Sequence, residues 1–581
     1  MKRTCSARRA AVVCRSTAAV AQGSSTRSLH SAQPTQSGHR AIPPHHVHGP
    51  TCPCSAAHNP QYFYRGLLGA EGAEARASLT RPGVRFARRT QSTPTTHARL
   101  SSSAATGGLS RSGPKESEAD YAFEMAGSNI RFGVGATREV GLDLVDMGAR
   151  HVCVFTDSTL KDLAPVITVL QSLQDAKVNF VLYDKVKVEP TDASFKHAIE
   201  FVTQTARKVT PTGHFDAFVA VGGGSVIDTC KAANLYATYP PEDFFDYVNP
   251  PVGKGKPPPG ALKPLIAIPT TAGTGSEATG VAIFDHVERN SKTGIAHRRL
   301  KPTLGIVDPE NTKSMPPQVA AASGFDVLCH ALESYTAIPY DQRTPRPATP
   351  LLRPAYQGSN PIADVWSLKS LEMLAKYFVR SVENRDDTEA RAQMALAATY
   401  AGIGFGSAGV HLCHGMSYPV SSLAHHMTYK PKDYNVDSPM IPHGMSVVLH
   451  APAVFRFTAS ANPDRHKQVA ALLGAKDIEN VRDSDAGPVL ADRIIELMKR
   501  LDIPNGLQAL GFSSNDIDAL VEGALPQHRH DSHTHHRTRT HARLHTFTYA
   551  HIDGDRVLKL APVPTGQEEL AKLFQQSMQI W

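Results

Sequence analysis

The chain has 581 residues, 41% hydrophobic and 20% charged, a composition that fits a soluble globular protein of two or three domains, each with its own core. The net charge of +8 sits in the first 70 residues, which hold eight Lys/Arg and no Asp or Glu. That leaves 53 basic and 53 acidic residues in 71–581, which argues against a nucleic-acid-binding body, and no apolar run reaches the ~18–20 residues that span a bilayer.

Residues 1–117 are rich in Arg, Ser, Ala, Thr, Pro and His with little hydrophobic periodicity. Their start, MKRTCSARRAAVVCRSTAAVAQ, is basic, Ser/Ala-rich and free of acids, the composition of a mitochondrial transit peptide. The segment is therefore expected to be a disordered targeting leader. Cys52-Pro53-Cys54 is too short for a zinc pair without partners. Cys153, Cys230, Cys329 and Cys413 stand in apolar or motif contexts and are expected as buried, reduced thiols.

Order is expected from about Tyr121. Short apolar runs, His151–Phe155, Asn179–Leu182, Phe215–Val221, Pro264–Ile268 and Leu304–Asp308, alternate with helical stretches. Continuous apolar strands separated by helices predict a buried, mostly parallel sheet. From Pro316 onward Ala/Leu-rich stretches predict helices over 318–335, 362–382, 389–408, 490–501 and 566–579. The predicted fold is an α/β dinucleotide-binding domain at 118–314 followed by an all-α domain at 315–581. Thr203–His214 is polar and unpatterned and reads as an insertion. So does the tract beginning at His528, taken to 556, whose residues 528–551 hold eight of the 28 histidines.

Three motifs carry chemistry. Gly222-Gly223-Gly224-Ser225 joins the third strand to a helix, so a backbone without side chains meets a helix N-terminus, as phosphate binding requires. It is not the G-x-G-x-x-G fingerprint, and any tight strand–helix turn can carry it. Thr270-Thr271-Ala272-Gly273-Thr274-Gly275-Ser276-Glu277 is a second small-residue loop after a strand, suited to ribose and phosphate or to helix capping. Asp326 and His330 stand four apart in Gly324–Tyr335 and share a helix face. Alone, that pair is better explained by a polar helix face with an Asp–His hydrogen bond. His414 in CHGM and His443 in PHGM make it four candidate ligands with one carboxylate, a set that can grip a divalent cation.

GGGSVIDTCKAANLYA, IPTTAGTGSE, GFDVLCHALESY, RPAYQGSNP, GVHLCHGMSYP and PHGMSVVLHAPAVF follow one another in an order that resembles the iron-dependent (group III) alcohol dehydrogenases. The resemblance runs from about Tyr121 to Trp581. It implies a metal held by Asp326, His330, His414 and His443. It further implies NAD held by Gly223, Gly224 and Ser225 at the pyrophosphate, with Asp228, Thr270, Thr271, Thr279 and Lys292 at cofactor-contacting positions. Asp157 matches the acid that bonds the adenosine ribose, and a carboxylate there repels a 2′-phosphate, favouring NAD over NADP. Three imidazoles and one carboxylate leave a divalent ion net positive, able to act as a Lewis acid on an alcohol oxygen. Iron is implied by the family; the donor set equally admits zinc.

One position departs from many members. Four residues after the HGM histidine they carry a further His, where this chain has Tyr418, the candidate catalytic contact. Tyr418 and the Lys430–Asp437 segment resemble a mitochondrial branch that moves hydride from a hydroxyacid to an oxoacid. The expected reaction is 4-hydroxybutyrate with 2-oxoglutarate, giving succinate semialdehyde and 2-hydroxyglutarate through a retained NAD. The alternatives are an NAD-linked alcohol dehydrogenase that releases NADH, a metal-dependent lyase of the dehydroquinate-synthase type, and a catalytically silent metal-binding protein. Acid substrates need a cation, for which Arg353, Lys430 and Lys432 are candidates. Expected partners are these small molecules, with no nucleic acid or membrane, and with homo-oligomerisation left open.

Overall fold

A computed structural model describes residues 118–289, 291–434, 436, 438–525 and 557–581. The targeting leader and the His-rich tract expected from the sequence lie outside these residues. The first part of the chain runs β1 (Asn129–Phe132), α1 (Val140–Asp146), β2 (His151–Asp157), α2 (Ala164–Asp175), β3 (Asn179–Val186), α3 (Asp192–Val209), β4 (Ala217–Gly222), α4 (Gly224–Thr238) and β5 (Leu265–Pro269). A hairpin of β6 (Val281–His286) and β7 (Ser291–Ala296) follows, then β8 (Leu304–Val307).

Six strands form one sheet in the order β1-β8-β5-β4-β2-β3, every pair parallel. β4 and β5 are buried along their whole length, which is why they read as unbroken apolar runs. Alternate residues feed opposite faces. Val152, Val154, Val219 and Val221 pack with Val140 and Leu144 of α1 and Val166, Val169 and Leu173 of α2. Cys153, Phe155, Phe218 and Ala220 pack with Val202 of α3 and Ile227 and Cys230 of α4. The chain leaves β2 toward β3 and then crosses back to β4, so the winding reverses between β2 and β4. In such sheets the crevice beyond the strand ends at that point receives ligands, and Asp157 and Gly223 stand there.

Thr203–His214 is not the unpatterned segment expected. Residues 203–209 complete α3, with Val202 and Ala206 buried, and its polar positions are the outer face of an amphipathic helix. Thr191 and Ser194 begin α3 with a reciprocal capping box. The β6–β7 hairpin and β1 were not anticipated. The four described cysteines are free and buried, as expected.

The second part is helical. It comprises α5 (Pro317–Thr336), α6 (Pro361–Glu383), α7 (Thr388–Ala408), α8 (Leu412–Leu423), α9 (His443–Val448), α10 (Ala451–Thr458), α11 (Pro463–Leu472), α12 (Ala486–Arg500), α13 (Ile517–Ala524) and α14 (Gln567–Met578). Starts follow the sequence: Pro occupies the first turn of α5 and α6, Asn360 accepts the Ala363 N–H, and Asp387 accepts the Ala390 N–H. α5 is buried from Gly324 to Thr336 inside one apolar core that extends to Phe574 and Met578. Among the described residues no helix is long and apolar enough to cross a membrane.

Candidate metal and cofactor site

Asp326 and His330 lie one turn apart on α5, His414 on the first turn of α8, and His443 at the start of α9. The Asp326 Oδ1 atom is 3.7 Å from His330 Nε2, 3.5 Å from His414 Nε2 and 3.6 Å from His443 Nε2. One ligand atom from each residue falls within 4.8 Å of every other. The α9 approach depends on Gly444, where a Cβ would sit 1.9 Å from the Ala322 carbonyl and 2.9 Å from Asp326 Cβ. A side chain there would push His443 off the cluster.

The residues fit a divalent cation. Asp326 Oδ1 and His414 Nε2 are buried and have no hydrogen-bond partner among the described residues, although buried polar atoms are otherwise almost always satisfied. Burial raises the Asp326 carboxyl, but the His330 and His443 imidazoles more than offset this and hold it far below the usual carboxylate range. Burial pulls His330 down to about 3, so it presents a neutral ring.

Glu333, which the sequence reading passed over, supports the cluster. It is fully buried on the same face of α5, seven residues after Asp326, and that spacing was the available signal. Its Oε1 accepts the backbone N–H of His411, Cys413 and His414 at 3.1, 2.6 and 3.4 Å, the unsatisfied donors at the start of α8. Its Oε2 meets His414 Nδ1. A carboxylate on one ring nitrogen directs the lone pair of the other toward the cluster. Burial works against charge at His414, yet Glu333 outweighs it and the ring is held protonated up to about 10 without a cation. Phe405 of α7 stacks on His330 with ring centroids 4.0 Å apart, closing one side with an apolar wall.

A cavity of about 110 Å³ joins this cluster to the glycine turn, with His330, His414 and His443 against Gly224, Ser225 and Asp228. Thr279, Lys292 and Tyr418 also line it. Gly223, Thr270, Thr271 and Asp157 do not. Thr271 packs against the turn instead, and Thr274 both packs against it and lines the cavity. A Cβ on Gly223 would lie 3.3 Å from Thr271, and one on Gly224 would lie 2.5 Å from Thr274, so Gly224 admits no side chain. The Thr270 N–H donates to the Gly222 carbonyl. Asp157 Oδ1 accepts the Thr159 and Leu160 N–H groups at 2.8 Å and caps the turn after β2.

Asp228 and Lys292 are both engaged within the protein. Asp228 accepts from Lys231 at 3.3 Å, Ser276 at 3.1 Å and the Ile283 N–H at 3.0 Å, which ties α4 to the hairpin. Lys231 also donates to Thr279 and to the Val281 carbonyl. Lys292 lies between Glu189 and Asp285. Tyr418 is buried beside Phe405, Val410, Tyr356 and Val557. Of the carboxylate-binding candidates, Lys430 is exposed and Lys432 is exposed and paired with Asp502. Neither lines the cavity. Arg353 is paired with buried Asp120.

Two family descriptions cover this framework. "Iron-containing alcohol dehydrogenase" matches residues 127–309 and "Fe-containing alcohol dehydrogenase family, C-terminal" matches 355–546. This chain belongs to the iron-containing alcohol dehydrogenase family. Similar relatives include the mitochondrial hydroxyacid-oxoacid transhydrogenase of Bos taurus, 56% identical over 82% of this chain and 93% of that one. The probable mitochondrial hydroxyacid-oxoacid transhydrogenase of Dictyostelium discoideum is 52% identical over 80% of each. Among solved structures, a 1,3-propanediol oxidoreductase aligns with a TM-score of 0.63 at 24% identity, over 79% of this chain and all of the other, a likeness of fold. Membership in this oxidoreductase family implies use of a metal and of NAD(H) on small-molecule substrates.

Proposed function

We propose that this enzyme is a hydroxyacid–oxoacid transhydrogenase. It takes hydride from 4-hydroxybutyrate and delivers it to 2-oxoglutarate, giving succinate semialdehyde and (R)-2-hydroxyglutarate. The observation that carries the reading is the open cluster of one carboxylate and three imidazoles facing the glycine turn across a single cavity. The names and high identity of the relatives support the substrate pair.

Asp326, His330, His414 and His443 would hold the cation, Fe2+ on family grounds with Zn2+ admitted by the donor set. When bound, the ion supplies Lewis acidity toward the substrate oxygen and NAD supplies the hydride carrier. The protein residues have separate tasks. Glu333 keeps the Nδ1 proton of His414 and so fixes the ring. Phe405 excludes water behind His330. Gly223, Gly224 and Ser225 receive the pyrophosphate at the N-terminus of α4. Thr270 and Thr271 shape that turn, Asp228 holds the hairpin wall beside it, and Thr279 and Lys292, which line the cavity, would contact the cofactor. Asp157 takes the adenosine ribose at the winding reversal. Tyr418 contacts the substrate near the reacting carbon. In this reading 118–314 is the cofactor domain and 315–581 the metal domain. The acid-free, Arg-rich start and the relatives' names support delivery to the mitochondrial matrix.

The test uses the full chain, metal-loaded, with both acids and no added nucleotide, and detects 2-hydroxyglutarate by mass spectrometry. Product that disappears in His330→Ala is the expected result and means that NAD is carried through both half-reactions. No product, but NADH formed once NAD and an alcohol are supplied, assigns a conventional dehydrogenase instead.

A further inference from the structure

A second cavity of about 180 Å³ adjoins the metal cavity, and Val281, Ile283, Tyr356 and Tyr418 line both. Four lysines or arginines line this outer cavity: Lys256, Arg298, Lys301 and Arg353. Three have carboxylate partners, namely Asp246 for Lys256, Glu124 for Arg298 and Asp120 for Arg353. Among the described residues no carboxylate lies within ion-pair distance of Lys301. Its Nζ donates to the Ala126 carbonyl, which leaves two N–H groups. Burial, with Lys231 nearby, pulls this amine down to about 8, the state of a cation still lacking its anion.

The place of Lys301 matters as much as its charge. A Cβ built on Gly406 would lie 3.7 Å from Lys301 Nζ and 3.9 Å from Thr279 Cγ2. Thr279 lines the metal cavity, and Phe405, next to Gly406, stacks on His330. Gly406, whose Cβ would also lie 3.7 Å from the Ala278 carbonyl, therefore sets Lys301 Nζ beside the backbone that carries the Phe405 wall of the metal cavity.

Resting on the proposed function, we infer that Lys301 receives the distal carboxylate of both substrates, so that one cation serves the two half-reactions. In 4-hydroxybutyrate the carboxylate carbon is three bonds from the carbon that gives up hydride. In 2-oxoglutarate the distal carboxylate carbon is three bonds from the carbon that accepts it. A single anchor at fixed reach places both reacting carbons at the same point. The second carboxylate of 2-oxoglutarate then falls where the alcohol carries hydrogen. A buried ammonium pairs strongly with a carboxylate, whereas the three already paired cations have little to add.

The experiment compares full-length, metal- and NAD-loaded wild type with Lys301→Met, Lys301→Arg and Gly406→Val. In Lys301→Met the KM values of 4-hydroxybutyrate and 2-oxoglutarate are expected to rise together, each at least tenfold. kcat should change less than KM, and the kcat/KM ratio of 4-hydroxybutyrate over butan-1-ol should fall at least tenfold. Lys301→Arg should recover part of the loss. Gly406→Val, which fills the space beside the ammonium, should raise both acid KM values and gives a second reading if Lys301→Met does not fold. Calorimetric titration with glutarate, which has no reacting oxygen, should show at least tenfold weaker binding to Lys301→Met. Unchanged glutarate binding and acid KM values in a folded variant overturn the inference. So does a rise for one acid only, or an equal rise in the Kd of NADH, which would assign the cation to the cofactor. Wild type that forms no 2-hydroxyglutarate counts against the proposed function, and glutarate binding still decides Lys301.

Discussion

The two walls of the cleft treat buried charge in opposite ways. On the sheet side each group is closed on a neighbour: Asp228 on Lys231, Ser276 and the Ile283 N–H, Lys292 between Glu189 and Asp285. On the helical side Asp326 Oδ1 and His414 Nε2 have no hydrogen-bond partner among the described residues, while Glu333 holds the far nitrogen of the His414 ring. The sheet wall is a finished scaffold. The helical wall is completed by what binds there, and the histidines deeper in the same core, His450 and His466, stay neutral, burial pulling them down to about 3 and 4.

The largest break in this contrast comes from the open side. Asp326→Ala removes the one anionic ligand, and turnover should fall roughly a thousandfold or more, since loss of Lewis acidity is worth several kcal/mol. Metal analysis of the purified variant beside its turnover checks this, and full metal content with wild-type rate would refute it. On the closed side Lys231→Met leaves Asp228 buried without its cation. Burial already pushes Asp228 up and Lys231 down, so the cost should be about 2–3 kcal/mol, below the ~3–5 of a fully charged buried pair. Urea unfolding measures it, and metal affinity should barely move.

Glu333→Gln lies between the two walls in kind. It keeps an acceptor for the backbone of α8 but loses the charge on His414, and metal affinity should drop about 10–100-fold, read by competition with a chelator. The smallest effect is one of pH. His450 binds a proton in the unfolded chain below about 6.5 but, buried, only near 3 in the fold. The unfolded state therefore gains protons first as pH falls, and stability declines from about pH 6.5 downward, by roughly 1.4 kcal/mol per pH unit for that residue. His450→Gln should flatten the slope of unfolding free energy between pH 6 and 5 by about that amount, and an unchanged slope would rule the residue out.

Much of this was legible. Gly222–Ser225 is an ambiguous turn by itself and gains meaning only beside the other motifs, and two of the three ligand histidines, His414 and His443, stand in a His-Gly-Met setting that repeats. What escaped depends on distant partners. Glu333 is an ordinary helix acid until the N-terminus of α8 arrives, about 80 residues later. Arg353 fits a carboxylate until Asp120, 233 residues earlier, takes its charge. The tail of α3 read as an insertion because its outward residues are polar and its inward ones are few. The β7 strand, Ser-Lys-Thr-Gly-Ile-Ala, lacks an apolar pattern because its stability comes from pairing with β6 and from the α4 lysine and aspartate that hold the hairpin.

The outermost strand carries a consequence for the order of folding. Among the described residues β1 pairs with β8 alone, Asn129 opposite Leu304, so that ladder joins stretches about 175 residues apart. A pairing so distant along the chain closes late, because the entropy of the large loop is lost before its bonds form. The α/β half is thus unfinished until the stretch just before α5 has docked. The helix that bears Asp326 and His330 continues from a strand that is among the last to be paired.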